Sequence, residues 1–370
     1  MSGRTRTSGR RRTRRGRGAA RAKPVTSNPF LALLPAVKKD VDARLHGFLD
    51  AALDAARVHG SEVVEMVSAI VDLCVRGGKR LRPALLVTGY RATSSGAELE
   101  PALDAGVAIE LLQAYFLIHD DWMDRDSVRR GGPTVHEHLA RRFHSQRLGN
   151  ASAVLAGDYA VALATEALAR VEVDTGRTSP LFACFSQMQL DAVSGQQLDL
   201  LGRARDVEAA YALKTGSYTV RGPLRLGALL AAASPRVLRA LDRYALPLGI
   251  AFQLRDDLLS AFGDPKKTGK PFGSDLRRGK RTVLLSTALR RARGRDHRIL
   301  ERVVGNAGAS EDDVQRAVEV LERSGAKGLV EARIDELVAR ALSGLSTGRI
   351  TPEGLRLLEG AASALTARRS

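Results

Sequence analysis

Three features of the sequence predict an all-α fold. Ala, Leu, Val, Arg and Glu dominate beyond Asn28-Pro29, aromatic residues make up only 4% of the chain, and alternating runs of β-branched residues bounded by turns are absent. The helical pattern starts after Asn28-Pro29. It is then interrupted in order at Gly60-Ser61, Arg76-Gly77-Gly78, Ser94-Ser95-Gly96, Gly131-Gly132-Pro133, Ser179-Pro180, Ser234-Pro235, Gly263-Asp264-Pro265, Gly294 and Gly308. Glycine leaves the helical region at little cost and proline lacks the amide donor, so each cluster should end one helix and admit the next. Helices of roughly 12 to 25 residues fit between most of these breaks. No internal stretch has linker composition and no fixed-period repeat stands out. Residues 28–370 are therefore expected to form one domain, with helices packed around a central cavity.

The composition bounds this reading. With 370 residues and 44% hydrophobic content, the chain can bury one large core or two smaller ones. Its longest run without a charged residue, Thr178 to Leu190, is well short of the ~20 apolar residues that span a bilayer, so no transmembrane helix is expected. Cys74 and Cys184 have neither metal-ligand spacing nor an obvious disulfide partner, which suits buried free thiols and a reducing cytoplasm. The formal charge of +17 is unevenly placed: residues 1–23 hold nine arginines and Lys23 without an acid, leaving +7 for the rest. Residues 1–27 are too poor in apolar groups to offset chain entropy and are expected to be disordered. This tail lacks the apolar face of a transit peptide and the apolar stretch of a secretion signal. It reads either as a solubilising segment or as a polybasic arm that touches nucleic acid or an anionic membrane.

Two acidic clusters carry the chemistry. Asp120-Asp121-Trp122-Met123-Asp124 puts Asp120 and Asp124 on one helix face with Asp121 close by. A second pair follows at Asp256-Asp257. Mg²⁺ takes oxygen ligands, keeps several waters and is usually held by one or two carboxylates plus substrate phosphates. Two such clusters, more than a hundred residues apart in the chain, would grip one diphosphate from both sides.

The flanking residues sharpen this reading. Gly77-Gly78-Lys79-Arg80-Leu81-Arg82-Pro83, Gln113, Arg129-Arg130-Gly131, Gly195-Gln196, Lys214-Thr215 and Phe252-Gln253-Leu254-Arg255-Asp256-Asp257 occur together with the acidic clusters in a set order. This pattern resembles the trans-isoprenyl diphosphate synthases, the polyprenyl synthetase family, from about Lys38 to the end of the chain. The resemblance implies the helical bundle of isoprenoid synthases. It also implies a Mg²⁺-dependent prenyltransferase, acting as a homodimer, that joins isopentenyl diphosphate to an allylic diphosphate.

By the same resemblance, Asp120 and Asp124 ligate two of three metal ions with support from Asp121, while Asp256 ligates the third, assisted by Asp257. Arg129, Lys214, Lys270 and Lys280 match basic contacts to the allylic diphosphate. Gln253 and Gln196 match polar residues beside the metals, and Asp199, Thr215 and Asp275 stand behind them. Lys79, Arg82, Gln113 and Arg130 match the pocket that holds isopentenyl diphosphate without metal, where the planar fork of Arg suits phosphate.

Two departures from the family pattern occur. Ser260 stands where the second acidic motif usually has an aspartate, which leaves the third metal mainly on Asp256; a hydroxyl can still hold a metal-bound water. Many long-chain members have histidine where this chain has Gln113, and either can donate to phosphate. The His119-Asp120 pair would suit a phosphohydrolase, but His136, His138 and His144 offer no convincing partner, so His119 reads as a core residue. A terpene cyclase would lack the Gly77–Pro83 pocket, and a non-catalytic subunit would have degraded acidic motifs. Tyr115 and Phe116, about one turn (roughly 5.4 Å) before Asp120, would form a floor for the growing tail. This pair resembles farnesyl synthases most and geranylgeranyl synthases next, so a C15 to C20 product is expected, with C15 favoured.

Overall fold

The computed structural model describes residues 1, 3, 28–96, 98–202, 206–263 and 272–367. Lys270 and nearly all of the basic tail lie outside the described residues. The rest is helical, as expected. Helix α1 (Pro29–Ala56) starts at Asn28, whose side-chain oxygen accepts from the amides of Phe30 and Leu31 at 3.0 and 3.1 Å. Those amides have no partner within the helix, so the cap replaces water at no loss. Then follow α2 (Ser61–Val75), α3 (Leu81–Thr93) and α4 (Glu100–Asp124). A two-residue antiparallel hairpin pairs Val128 with Pro133 and Arg129 with Gly132. Its corner, Arg130-Gly131, has φ of 51° and 74°, and positive values at both positions match the twist of such a tight turn.

Beyond the hairpin come α5 (Val135–Arg142), α6 (Gln146–Ala169), α7 (Thr175–Leu200) and α8 (Val207–Tyr211). A π-helical segment, Ala212–Arg221, leads into α9 (Gly222–Leu230) and the 28-residue α10 (Pro235–Phe262). The chain closes with α11 (Ser274–Arg277), α12 (Val283–Arg291), α13 (Gly294–Val303), α14 (Glu311–Arg323), α15 (Ala326–Gly344) and α16 (Pro352–Thr366). One expected break is absent. The helix does not end at Ser179-Pro180, because α7 begins at Thr175 and runs straight through Pro180. So near the helix start, proline costs one backbone bond, and burial of Leu181, Cys184 and Phe185 in the core offsets it.

The core has two parts. The larger is built on α1, α3, α4, α6, α7 and α9 and takes Leu241, Tyr244 and Leu248 from the first half of α10. The smaller is built on α12 to α15 and takes Leu254, Leu258 and Ala261 from its second half. Helices α4 and α6 are each long and apolar enough to cross a membrane by length and composition alone, which the sequence reading did not anticipate. Two-thirds of that stretch of α4 is buried, and α4 packs on α1, α3 and α6. Cys74 and Cys184 are buried free thiols, and burial pushes both up to about 12.

Candidate active site

Helix α4 delivers the first acidic cluster at its last turn. It ends at Arg125, whose φ of 57° is left-handed, a conformation costing about 1 to 2 kcal/mol for a residue with a Cβ. Arg80 and Arg130 share that conformation, so three of the five such non-glycine positions among the described residues are arginines on loops next to this site. Backbone strain of this kind collects where geometry matters for function.

Asp120 and Asp124 face a cavity of about 1250 Å³. Among the described residues its wall also holds Asp126, Asp199 and Asp275, together with Arg125, Arg129, Arg130, Arg278, Lys280 and Arg281. Of the other expected residues, Gln113 and Gln196 also line that wall, whereas Asp256, Lys214, Thr215 and Gln253 do not. Asp121 points elsewhere: it is buried, and Arg129 Nε donates to both its oxygens at 2.9 and 3.2 Å, with Nη2 bonded as well. This fork fixes Arg129 at the cavity edge.

The π-helical segment supplies the next groups. Lys214 Nζ lies 2.7 Å from Asp199 and 3.4 Å from Asp120. This approach requires Gly195 on α7, because a Cβ there would fall 2.3 Å from the Lys214 amide nitrogen. Thr215 Oγ1 donates to Gln253 Oε1 at 2.7 Å, and Gln253 Nε2 donates to Asp257 at 2.9 Å. The Tyr211 hydroxyl donates to the other Asp257 oxygen and accepts from the amide of Val283 at 3.3 Å. Each oxygen of the buried Asp257 thereby accepts a side-chain bond, while Asp256 beside it is half-buried.

The donors suit a hard divalent cation. Asp120 and Asp124 offer carboxylate oxygens to a cavity with no thiol or imidazole in its described wall, and cations around them suit phosphate oxygens. Ser260 Oγ is buried without a partner among the described residues. It shares a smaller cavity with Asp257, Asp275 and Lys280 and is absent from the wall of the large one.

A model of the polyprenyl synthetase family matches residues 64–321. The chain belongs to the polyprenyl synthetase family. It is 34% identical over 271 residues to the short chain isoprenyl diphosphate synthase of Methanocaldococcus jannaschii, covering 70% of this chain and 77% of that one. To the geranylgeranyl diphosphate synthase of Saccharolobus solfataricus it is 37% identical over 262 residues, covering 69% and 76%. A geranylgeranyl pyrophosphate synthase of Corynebacterium glutamicum, solved with isoprenyl diphosphate and magnesium, superposes with a TM-score of 0.84 at 34% identity, covering 93% and 100%. This polyprenyl synthetase is accordingly a prenyltransferase.

Electrostatics in the synthetase follow from burial and pairing. Burial raises the Asp257 carboxyl to about 7, opposed by Lys280 and by hydrogen bonds from Tyr211 and Gln253. Burial also raises Asp124, helped by the charge of Asp120. Burial alone would lower Lys214 and Lys280, yet both are raised: Asp120 and Asp199 act on Lys214, and Asp275, Asp257, Asp199 and Asp120 act on Lys280. Lys280 thus feels both acidic clusters and holds its charge between them.

The second basic pocket is less open. Lys79 is exposed on the turn before α3, and the backbone of Gly78 abuts the Arg130 guanidinium. Arg82 hydrogen-bonds Thr219 and lies over the Tyr218 ring, and neither Lys79 nor Arg82 is part of the large cavity's wall. Gln113 and Arg130 line both that cavity and a small one with Arg80 and Glu110, joining the two regions.

The floor pair is packed among rings. Tyr115 meets Phe116 at 4.8 Å and the edge of His119 at 5.0 Å, while Phe116 meets Tyr218 at 4.7 Å. Leu117, rather than either ring, reaches the large cavity's wall. His119 packs against Gly157 with Nε2 3.1 Å from the Val154 carbonyl, half-buried rather than in the core.

Sequence reasoning missed Tyr211, Arg278 and Glu110. Tyr211 precedes Lys214 with nothing in its neighbours to mark it. Arg278 reaches Asp126 and lies 3.5 Å from Asp124 across more than 150 residues of chain. Glu110 did carry a signal, being a lone acid in the apolar run Val107 to Leu112; it is buried against Arg80, which also bonds Asp42 at 2.6 Å.

Proposed function

We propose that this synthetase condenses isopentenyl diphosphate with an allylic diphosphate to give a short-chain all-trans prenyl diphosphate. The observation that carries this is one cavity wall on which Asp120 and Asp124 stand among six cationic side chains. An allylic diphosphate can ionise at its C1–O bond because the carbocation is resonance-stabilised, but the departing group carries several negative charges. Arg129 and Lys214 are fixed by Asp121 and Asp199, and Lys280 is kept charged by its acidic neighbours, so they are poised to neutralise that charge as it develops. Each unit charge pair at 4 Å is worth about 4 kcal/mol at an effective dielectric near 20. Mg²⁺ ions held by Asp120, Asp124 and Asp256, three in all by family resemblance, would supply further charge neutralisation on the leaving diphosphate.

Lys79, Arg82, Gln113 and Arg130 would hold the isopentenyl diphosphate so that its double bond faces the cation. Ionisation has already released inorganic diphosphate; the double bond attacks C1 of the allylic cation, and loss of one proton from the cation left on the isopentenyl unit gives a product five carbons longer. Tyr115 and Phe116 would limit its growth. Two aromatic rings one turn below Asp120 favour farnesyl diphosphate; the geranylgeranyl synthases among the relatives support the C20 alternative equally. The same reading makes the enzyme a cytoplasmic homodimer.

The test is direct. Purified protein is incubated with Mg²⁺, isopentenyl diphosphate and dimethylallyl, geranyl or farnesyl diphosphate, and the products are sized. Condensation with at least one primer is expected, and no condensation with any of them would end this reading.

A further inference from the structure

Arg82 is held in a way that its assigned task does not explain by itself. Its side chain leaves the first turn of α3, and Nη2 donates to Thr219 Oγ1 at 2.8 Å. The guanidinium carbon lies 4.4 Å from the centre of the Tyr218 ring. Stacking on a ring sets the plane of the guanidinium, and the hydroxyl sets its rotation within that plane. Together they remove the freedom of a long side chain. Arg82 Nε is a buried donor with no partner among the described residues, so the fork has capacity left for a ligand.

Both holding groups come from the π-helical segment, and Thr219 is only 1% exposed. Lys214 and Thr215 lie one turn earlier on the same segment and serve Asp120 and Gln253. One segment of wide helix thus hands two side chains to the acidic clusters and two, one turn on, to Arg82.

We infer that Thr219 is a positioning residue for the second substrate: its hydroxyl orients Arg82 to receive the diphosphate of isopentenyl diphosphate. This rests on the assignment of Arg82 to that diphosphate made above. A purely structural role, pinning α3 to the π-helical segment, would instead affect fold stability and both substrates together.

The experiment compares full-length Thr219→Val, which keeps the shape and removes the hydroxyl, with Thr219→Ser, which restores it, and with Arg82→Ala. Michaelis constants for isopentenyl and geranyl diphosphate are measured with the melting temperature, and binding of isopentenyl diphosphate alone is followed by calorimetry. Thr219→Val should weaken isopentenyl diphosphate about tenfold, the scale of one hydrogen bond to a charged group. The geranyl diphosphate constant and the melting temperature should hold, and Thr219→Ser should match the parent. If valine disturbs packing, Thr219→Ala serves the same comparison. The inference is overturned if Arg82→Ala weakens isopentenyl diphosphate while loss of the Thr219 hydroxyl does not. It is equally overturned if both substrates weaken together with the fold, or if serine fails to rescue. Should Arg82→Ala itself leave isopentenyl diphosphate binding unchanged, the pocket assignment fails, a result separate from the others.

Discussion

Thr215 and Gln253 are joined by a 2.7 Å hydrogen bond from the threonine hydroxyl to the glutamine carbonyl oxygen. Gln253 passes the connection to Asp257, while Lys214, one residue before Thr215, contacts Asp120. A single peptide unit therefore separates the groups that hold the two acidic clusters. The clusters are far apart in sequence, and the π-helical segment is where they become one site.

The acidic positions should differ sharply in importance. Asp120→Ala and Asp256→Ala are expected to lower turnover by several orders of magnitude with little change in melting temperature, because both serve the transition state and neither supports the core. Ser260→Ala should cost far less, as its hydroxyl faces the smaller cavity. Steady-state rates beside thermal melts decide this; equal damage from Ser260→Ala and Asp256→Ala would refute the division.

Loss of charge at Lys79 or Arg82 should raise the Michaelis constant for isopentenyl diphosphate more than that for the allylic primer. Kinetics with each substrate varied in turn provide the measurement. Equal weakening of both would argue against two distinct diphosphate sites.

The buried pair of Arg80 and Glu110 gives a stability prediction. Their side chains are 2% and 4% exposed; Arg80 keeps Asp42 when Glu110 is removed, but Glu110 is stranded when Arg80 is removed. Arg80→Ala should lower unfolding free energy by about 3 to 5 kcal/mol, and Glu110→Ala should cost less. Denaturant titration distinguishes the two, and an Arg80→Ala protein as stable as the parent would be incompatible with this account.

Much of this was legible from sequence, for physical reasons that differ by residue. The acidic clusters and Arg129-Arg130 announce themselves because charged motifs at helical spacing need no tertiary context. Breaks at Gly77-Gly78 and Ser234-Pro235 were readable because backbone chemistry is local. Pro180 was misjudged because burial of its neighbours, a tertiary effect, outweighs one lost hydrogen bond. Tyr211 and Thr219 were invisible: an isolated hydroxyl has meaning only once folding sets it against Asp257 or Arg82.

Asp42 should register in acid stability. Burial pushes its carboxyl up, but hydrogen bonds from Lys38 and Arg80 more than offset this and hold it below its ordinary 3.8. A depressed carboxyl contributes stability that is fully present above the ordinary value and is lost as the pH falls through the folded one. Asp42→Asn should therefore be less stable than the parent at neutral pH, with the gap closing in acid. Unfolding curves across that range check the sign; a gap that widened in acid would contradict it.

Product length should respond to the ring stack. Tyr115→Ala or Phe116→Ala is expected to lengthen the product by at least one isoprene unit, because either opens space one turn beneath Asp120. Chromatographic sizing of products is sufficient. An active double variant with an unchanged distribution, or a parent product longer than C25, would dismiss the floor.

Helix α10 also limits how the protein can be dissected. Its first half is sealed by one core and its second half by the other, and Asp256-Asp257 lie in the second half. A cut after Phe262 would leave Leu254, Leu258 and Ala261 facing water and take away Lys280 and Val283, which lie beside Asp257 and Tyr211. A catalytic fragment cannot accordingly be ended at Phe262: the helices that follow are the wall against which the second motif is built.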